Sequence, residues 1–165
     1  MRISVSKQFT GSRELLFRHF AQFEDFAIWS KFPEGYDFEL LKSDTGEIKG
    51  LTMTYYIGGE YWRASFESVF SELNRETQTR ISSLLDPQGN EVFGTEYCLF
   101  KEMSSRTQYI DKNGGTEIRN DLYLTPARFS FWLDSYLLLR DWRKRSKILM
   151  ILLDDYLSQR PENND

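Results

Sequence analysis

The sequence predicts an α+β domain in which one long C-terminal helix lies on a sheet of about seven strands. Three observations predict it. From Phe131 to Tyr156 one side of a helix can be read at steps of four and three: Phe131, Ser135, Leu138, Trp142, Arg145, Leu149, Leu152 and Tyr156. That spacing keeps every member on one stripe, and six of the eight are apolar or aromatic, so the stripe should be buried. Ahead of it runs a series of alternating or β-rich segments separated by turn signals. Between the first and second of these segments sit two short helical stretches.

In chain order, Arg2 to Phe9 alternates Ile3, Val5 and Lys7 against Ser4, Ser6 and Gln8, the period of a strand. Gly11-Ser12 breaks it, with Ser12 placed as a helix N-cap. Leu15, Leu16, His19, Phe20 and Phe23 follow at helical spacing, and a second helix spans Asp25 to Trp29 until Pro33-Glu34-Gly35. Tyr36–Ser43 reads as a strand closed by Asp44-Thr45-Gly46. Leu51–Ile57 alternates Leu51, Met53, Tyr55 and Ile57 against Thr52, Thr54 and Tyr56. Gly58-Gly59 supplies the positive φ of a two-residue hairpin turn. The return strand, Glu60–Leu73, puts Trp62, Ala64, Phe66, Ser68 and Phe70 on one face. Asn74-Arg75-Glu76 leads into a strand over Thr77–Leu85, which Asp86-Pro87-Gln88-Gly89-Asn90 ends.

Glu91 to Ser104 has two readings. Gly94-Thr95 could cap a short helix carrying Leu99, Phe100 and Met103, or Tyr97, Leu99 and Lys101 could alternate in an interrupted strand reaching Ile110. The strand reading is preferred. Asp111 to Gly115 turns the chain into Thr116–Thr125, with Ile118, Asn120, Leu122 and Leu124 on one face. Thr125-Pro126 is a start signal for the last helix. Unbroken to Gln159 that helix would be about 50 Å long at 1.5 Å per residue, so a break near Phe129-Ser130 is expected.

At 165 residues, 40% hydrophobic and 28% charged, the chain has the size and make-up of one globular domain, here 1–160, with 161–165 a disordered polar tail. Its 16% aromatic content supplies either a ring-rich core or the lining of a cavity. The net charge of −4 argues against nucleic acid as a partner, because neutralising phosphates takes an excess of Lys and Arg. No apolar run approaches the ~18 residues of a membrane span, and the polar, alternating start is not a signal peptide. A cytoplasmic location follows as the expectation. Cys98 stands alone, so no internal disulfide forms, and His19 alone leaves no zinc constellation.

The order of elements resembles the START-like, or SRPBCC, superfamily. Asp25-Phe26-Ala27-Ile28-Trp29 is similar to the acidic residue and Trp of that family's second helix, and Gly50 to its glycine entering the third strand. Glu67-Ser68-Val69-Phe70-Ser71-Glu72 is similar to its Glu-rich fourth strand, and Gly115-Thr116 to the pair before its last strand. The resemblance implies a helix-grip fold, a curved antiparallel sheet wrapped around the C-terminal helix. It also implies a cavity between them, walled by Met53, Tyr55, Trp62, Phe66, Asn120, Leu122, Trp142, Arg145 and Leu149. The same side chains could instead meet and fill the space.

Arg145 is the sharpest single residue, because a guanidinium in a buried stripe needs an anion or a carbonyl. It could hold the carboxylate or phosphate of a greasy ligand, or it could pair with a sheet glutamate or snorkel to the rim. Asn120 is a second polar candidate. Arg140, Arg143, Lys144 and Lys147 form a charged side opposite the stripe, read as a solvated face or a contact for an acidic partner or membrane surface. His19, amid Leu15, Leu16 and Phe23, reads as packing, and Cys98 as a small core residue.

Three functions follow from the resemblance. The first is a carrier or sensor of an apolar or amphipathic small molecule such as a lipid, isoprenoid or polyketide, without cofactor or metal. The second is a polyketide cyclase or aromatase, disfavoured because no acid–base pair is evident. The third is a protein-interaction module resembling the chaperone-ATPase activators.

Overall fold

The computed structural model describes residues 1–30, 38–57 and 59–159. The helix-ending turn expected at Pro33-Glu34-Gly35, the first residues of the strand expected from Tyr36, Gly58 of the hairpin, and the tail 161–165 lie outside them. The elements run β1 (Arg2–Phe9), α1 (Arg13–Ala21), α2 (Phe23–Trp29), β2 (Phe38–Lys42), β3 (Ile48–Ile57), β4 (Glu60–Glu72), β5 (Glu76–Leu85), β6 (Phe100–Lys112), β7 (Gly115–Pro126), a 3-10 turn (Phe129–Phe131) and α3 (Trp132–Ser158). The strands described form one antiparallel sheet in the order β1-β7-β6-β5-β4-β3-β2. This is the helix-grip α+β architecture expected.

Local chemistry sets the elements. Ser12 caps α1 by accepting a hydrogen bond from the Leu15 amide at 3.2 Å. Thr116 donates from its hydroxyl to the Gly11 carbonyl at 3.1 Å, tying the start of α1 to β7. Gly50 and Gly115 serve close approach, since a Cβ on them would sit 1.9 Å from the Phe66 carbonyl oxygen and 2.2 Å from that of Phe9. Gly59, at φ 91°, turns β3 into β4, and Ile57 pairs with Glu60 across the turn.

Irregularities bend the central strands. The β4–β5 register shifts between Ser65 and Phe66 and again between Ser68 and Phe70. The second shift corrects the face expected for β4. Ser71 takes the inward position that simple alternation assigns to Phe70, and Phe70 is exposed.

Residues 91–99 form turns, which corrects the strand reading of Glu91–Ser104; the strand starts only at Phe100. The Glu91 carboxylate accepts from the Leu84 and Phe93 amides and the Ser83 hydroxyl, and the Thr95 hydroxyl donates to the Val92 carbonyl. These bonds replace a ladder, while Val92 and Cys98 anchor the loop in the core.

The last helix also begins later than its Thr125-Pro126 signal. Those residues continue β7, pairing with Glu102 and Phe100, so strand pairing outcompetes the cap. No helix lies between β7 and the 3-10 turn at Phe129–Phe131, so what was expected as a break near Phe129-Ser130 is the start of the helical segment. The deepest line on α3, Leu139, Ser146, Met150 and Leu153, lies one residue beyond Leu138, Arg145, Leu149 and Leu152 of the expected stripe. That line packs toward β1 and β7, and Lys7 reaches Asp154 at 2.7 Å. Arg145 is itself buried, whereas Leu138, Trp142 and Leu149 are half-buried because they face open space inside the molecule.

Candidate functional site

Between α3 and the concave face of the sheet lies a cavity of about 140 Å³. A cavity of that size holds roughly one benzene ring. A second cavity of about 60 Å³ adjoins it, and the two share Tyr55, Phe66 and Trp142. Trp142 lies parallel to Tyr55, centroids 6.1 Å apart at 11°, and its centroid is 5.1 Å from that of Phe66. These rings make a partition rather than a plug.

Eight of the nine wall residues expected from sequence line the larger cavity: Met53, Tyr55, Phe66, Asn120, Leu122, Trp142, Arg145 and Leu149. Trp62 lines the smaller one instead, beside Cys98, Leu99 and Met103. Sequence reasoning missed two further walls. Phe20 and Ala21 of α1 and Phe23 and Phe26 of α2 line the larger cavity as well. Two rows of hydroxyls cross the sheet: Ser68, Thr79 and Ser105 in register on β4, β5 and β6, and Ser71, Thr77 and Thr107 on the same strands. The second row continues to Asn120 on β7. Alternation in β5 and β6 could have revealed Thr77, Thr79, Ser105 and Thr107, but small polar residues on a strand read as its outer face. The helical side of the cavity is therefore mostly apolar, with Arg145 and Ser146 the polar exceptions, and the sheet side sets uncharged polar rows beside Leu51, Met53, Tyr55, Phe66 and Leu122.

Among the described residues, Arg145 pairs with a carboxylate of its own helix. Its Nε donates to Asp141 one turn earlier on α3 at 2.6 Å, and its guanidinium carbon lies 4.5 Å from the centre of the Tyr55 ring. Burial raises the Tyr55 phenol far above its ordinary pKa, against the pull of Arg145. Tyr55 and Arg145 are the ionisable side chains among the described lining residues. Asn120 is 7% exposed, and its Oδ1 has no hydrogen-bond partner.

The other candidates fall outside the cavity. His19 is buried with Nδ1 3.3 Å from Asp25 and its ring edge-on to Tyr156, and its carbonyl accepts from the Trp29 indole at 2.9 Å. Asp25 and Trp29 thus bind α2 to α1. Burial raises the Cys98 thiol above its ordinary pKa. Arg140, Arg143, Lys144 and Lys147 lie on the exposed side of α3. Among the described residues no cluster of His, Cys, Asp and Glu could hold a metal ion, and no helix is long and apolar enough to cross a membrane.

Solved structures share the fold. A START superfamily protein from Mycobacterium smegmatis superposes with a TM-score of 0.64 at 14% identity, covering 96% of this chain and 97% of its own. Ara h 8.0201 gives 0.67 at 10% identity over 96% and 98% of the two chains. Ginseng major latex-like protein 151 from Panax ginseng gives 0.64 at 11%, over 94% and 96%. The fold is START-like. No family model and no curated protein sequence matches the chain. At these identities the START-like likeness carries the fold, and the chemistry has to be argued from the cavity.

Proposed function

We propose that the protein binds a small apolar or amphipathic molecule in the cavity beneath α3, as a carrier or sensor. The observation that carries this reading is the cavity itself. Space is kept open at the centre of an aromatic-rich core where larger side chains at the Ser and Thr positions would fill it. The START-like fold, one that commonly encloses hydrophobic ligands, adds support. In this reading Met53, Phe66, Leu122, Trp142 and Leu149 contribute contact area, and Tyr55 and Arg145 form a rigid end wall. Trp62 borders the side chamber, and Asn120 faces the ligand's polar edge. Binding derives from burying ligand surface at roughly 25 cal/mol per Å². The volume suits a single ring, or the ring-sized end of an isoprenoid, lipid or polyketide.

A cyclase would need a proton donor and acceptor facing the reacting chain. Among the described residues lining the larger cavity the ionisable groups are a phenol held protonated and a guanidinium engaged by Asp141, which favours binding over catalysis. Native mass spectrometry of the purified protein, with a thermal-shift panel of lipids, isoprenoids and polyketides, tests the proposal. A co-purifying small molecule or a ligand-dependent rise in melting temperature is the expected result. An apo mass together with flat melting across the panel contradicts it.

A further inference from the structure

We infer that the ligand of this cavity is an electrically neutral ring that donates a hydrogen bond, from a hydroxyl or a lactam-type N–H, to the side chain of Asn120. The inference rests on the cavity-binding reading and adds the ligand's chemical class.

Asn120 sits mid-strand on β7, in register with Val5 on one side and Thr107 on the other. It is more than nine-tenths buried, its side chain lines the cavity, and its amide oxygen has no partner among the described residues. A buried acceptor left unmet costs stability, and proteins leave few of them. The hydroxyl of Thr107, its register neighbour on β6, makes no hydrogen bond to that oxygen. Thr79 and Ser105 bond each other at 2.8 Å, and Leu122 ends that row with an apolar side chain. Asn120 is 7% exposed and lines the cavity, so we seek its partner in what the cavity holds.

Charge narrows the class. Arg145, the cation among the described lining residues, already has Asp141 on its Nε and the Tyr55 ring against its face. A carboxylate or phosphate brought to it would stand beside the Asp141 carboxylate and would lose water without gaining an unmatched cation. A neutral ligand meets no such cost. Its ring faces would rest on Phe20, Phe23 and Leu149, with its donor edge toward Asn120. The cavity of about 140 Å³ limits the enclosed part to one substituted ring.

The test is titration calorimetry with three ring probes of nearly equal size: p-cresol, toluene and p-toluate. The expected order on the unmodified protein is p-cresol tightest, toluene weaker, and p-toluate weakest by tenfold or more. In Asn120→Leu, p-cresol is expected to lose about tenfold in affinity while toluene binds equally or more tightly. A p-cresol preference that survives Asn120→Leu overturns the role of Asn120. A p-toluate affinity matching that of p-cresol overturns the neutral class, and this comparison needs no variant to fold. Failure of all three probes to bind overturns the cavity-binding reading beneath it, a result distinct from equal binding of p-cresol and toluene, which overturns this inference alone.

Discussion

Arg145 shows what one residue's surroundings decide. Its place in an apolar stripe made it a candidate anchor for a ligand anion, or a partner for a sheet glutamate. The structure instead pairs it within its own helix, with Asp141 at i−4. That geometry was available in the sequence, but stripe reading looks across a helix and not along it. Breaking the pair from the acidic side leaves a cation that is 7% exposed, whereas removing the arginine frees a carboxylate that water already reaches. Asp141→Asn is therefore expected to cost about 1–2 kcal/mol in urea denaturation, and Arg145→Met less. The reverse order would contradict this assignment.

Asn120 gives the opposite sign. Replacing the amide, whose oxygen is unmet, by an apolar group of similar volume is expected to stabilise the unliganded protein by about 1 kcal/mol, read as a higher melting temperature for Asn120→Leu. A lower melting temperature would mean that the amide is already satisfied. Glu76 supplies the pH dependence. Arg106, with help from Gln78 and Gln108, holds its carboxyl below the ordinary value of 4.5 despite partial burial. Its ionised form thus stabilises the fold above that range, and the contribution fades as pH falls through the lowered pKa. Acid titration of stability should show a shallower loss in Glu76→Gln than in the parent; identical slopes would remove Glu76 from the account.

Among the elements, legibility followed local rules. Strand β1, helix α1 with its Ser12 cap, the Gly59 turn and β7 were readable because one segment's period or cap specified each. The misread elements were those whose conformation a neighbour decides. Residues 91–99 looked strand-like but are organised by the Glu91 carboxylate. Thr125-Pro126 looked like a cap but pairs with β6. The shift after Ser68 swaps Phe70 for Ser71 on the cavity wall, and no single-strand pattern announces it. Gly50 is the element-scale test. A Cβ there would stand 1.9 Å from the Phe66 carbonyl oxygen, so the strands β3 and β4 would have to separate. Gly50→Ala is expected to destabilise by more than about 2 kcal/mol in chemical denaturation. A change within 0.5 kcal/mol would contradict the close approach.

For the whole molecule, large side chains stand at both ends of the cavity, on the sheet at one and on α1 and α2 at the other, with small hydroxyls of the sheet between them. Phe66, Tyr55 and Met103 hold the sheet off the helix on one side, and the phenylalanines of α1 and α2 hold it on the other. The Ser and Thr rows between them cannot bridge the gap, so a hollow remains under α3. Sequence supplied the walls that lie on β3, β7 and α3, where the apolar stripes are regular. It could not supply the polar floor, because registering Ser71, Thr77, Thr107 and Asn120 side by side requires the pairing of four strands. The central claim is that this hollow takes a guest. An NMR titration with p-cresol tests it most directly, by following the Asn120 side-chain amide, the Trp142 indole N–H and the methyls of Leu122 and Leu149. Saturable shifts at these groups, with the exposed Trp132 and Leu133 unmoved, are the expected result. Shifts confined to Trp132 and Leu133, or none at all, would contradict the account.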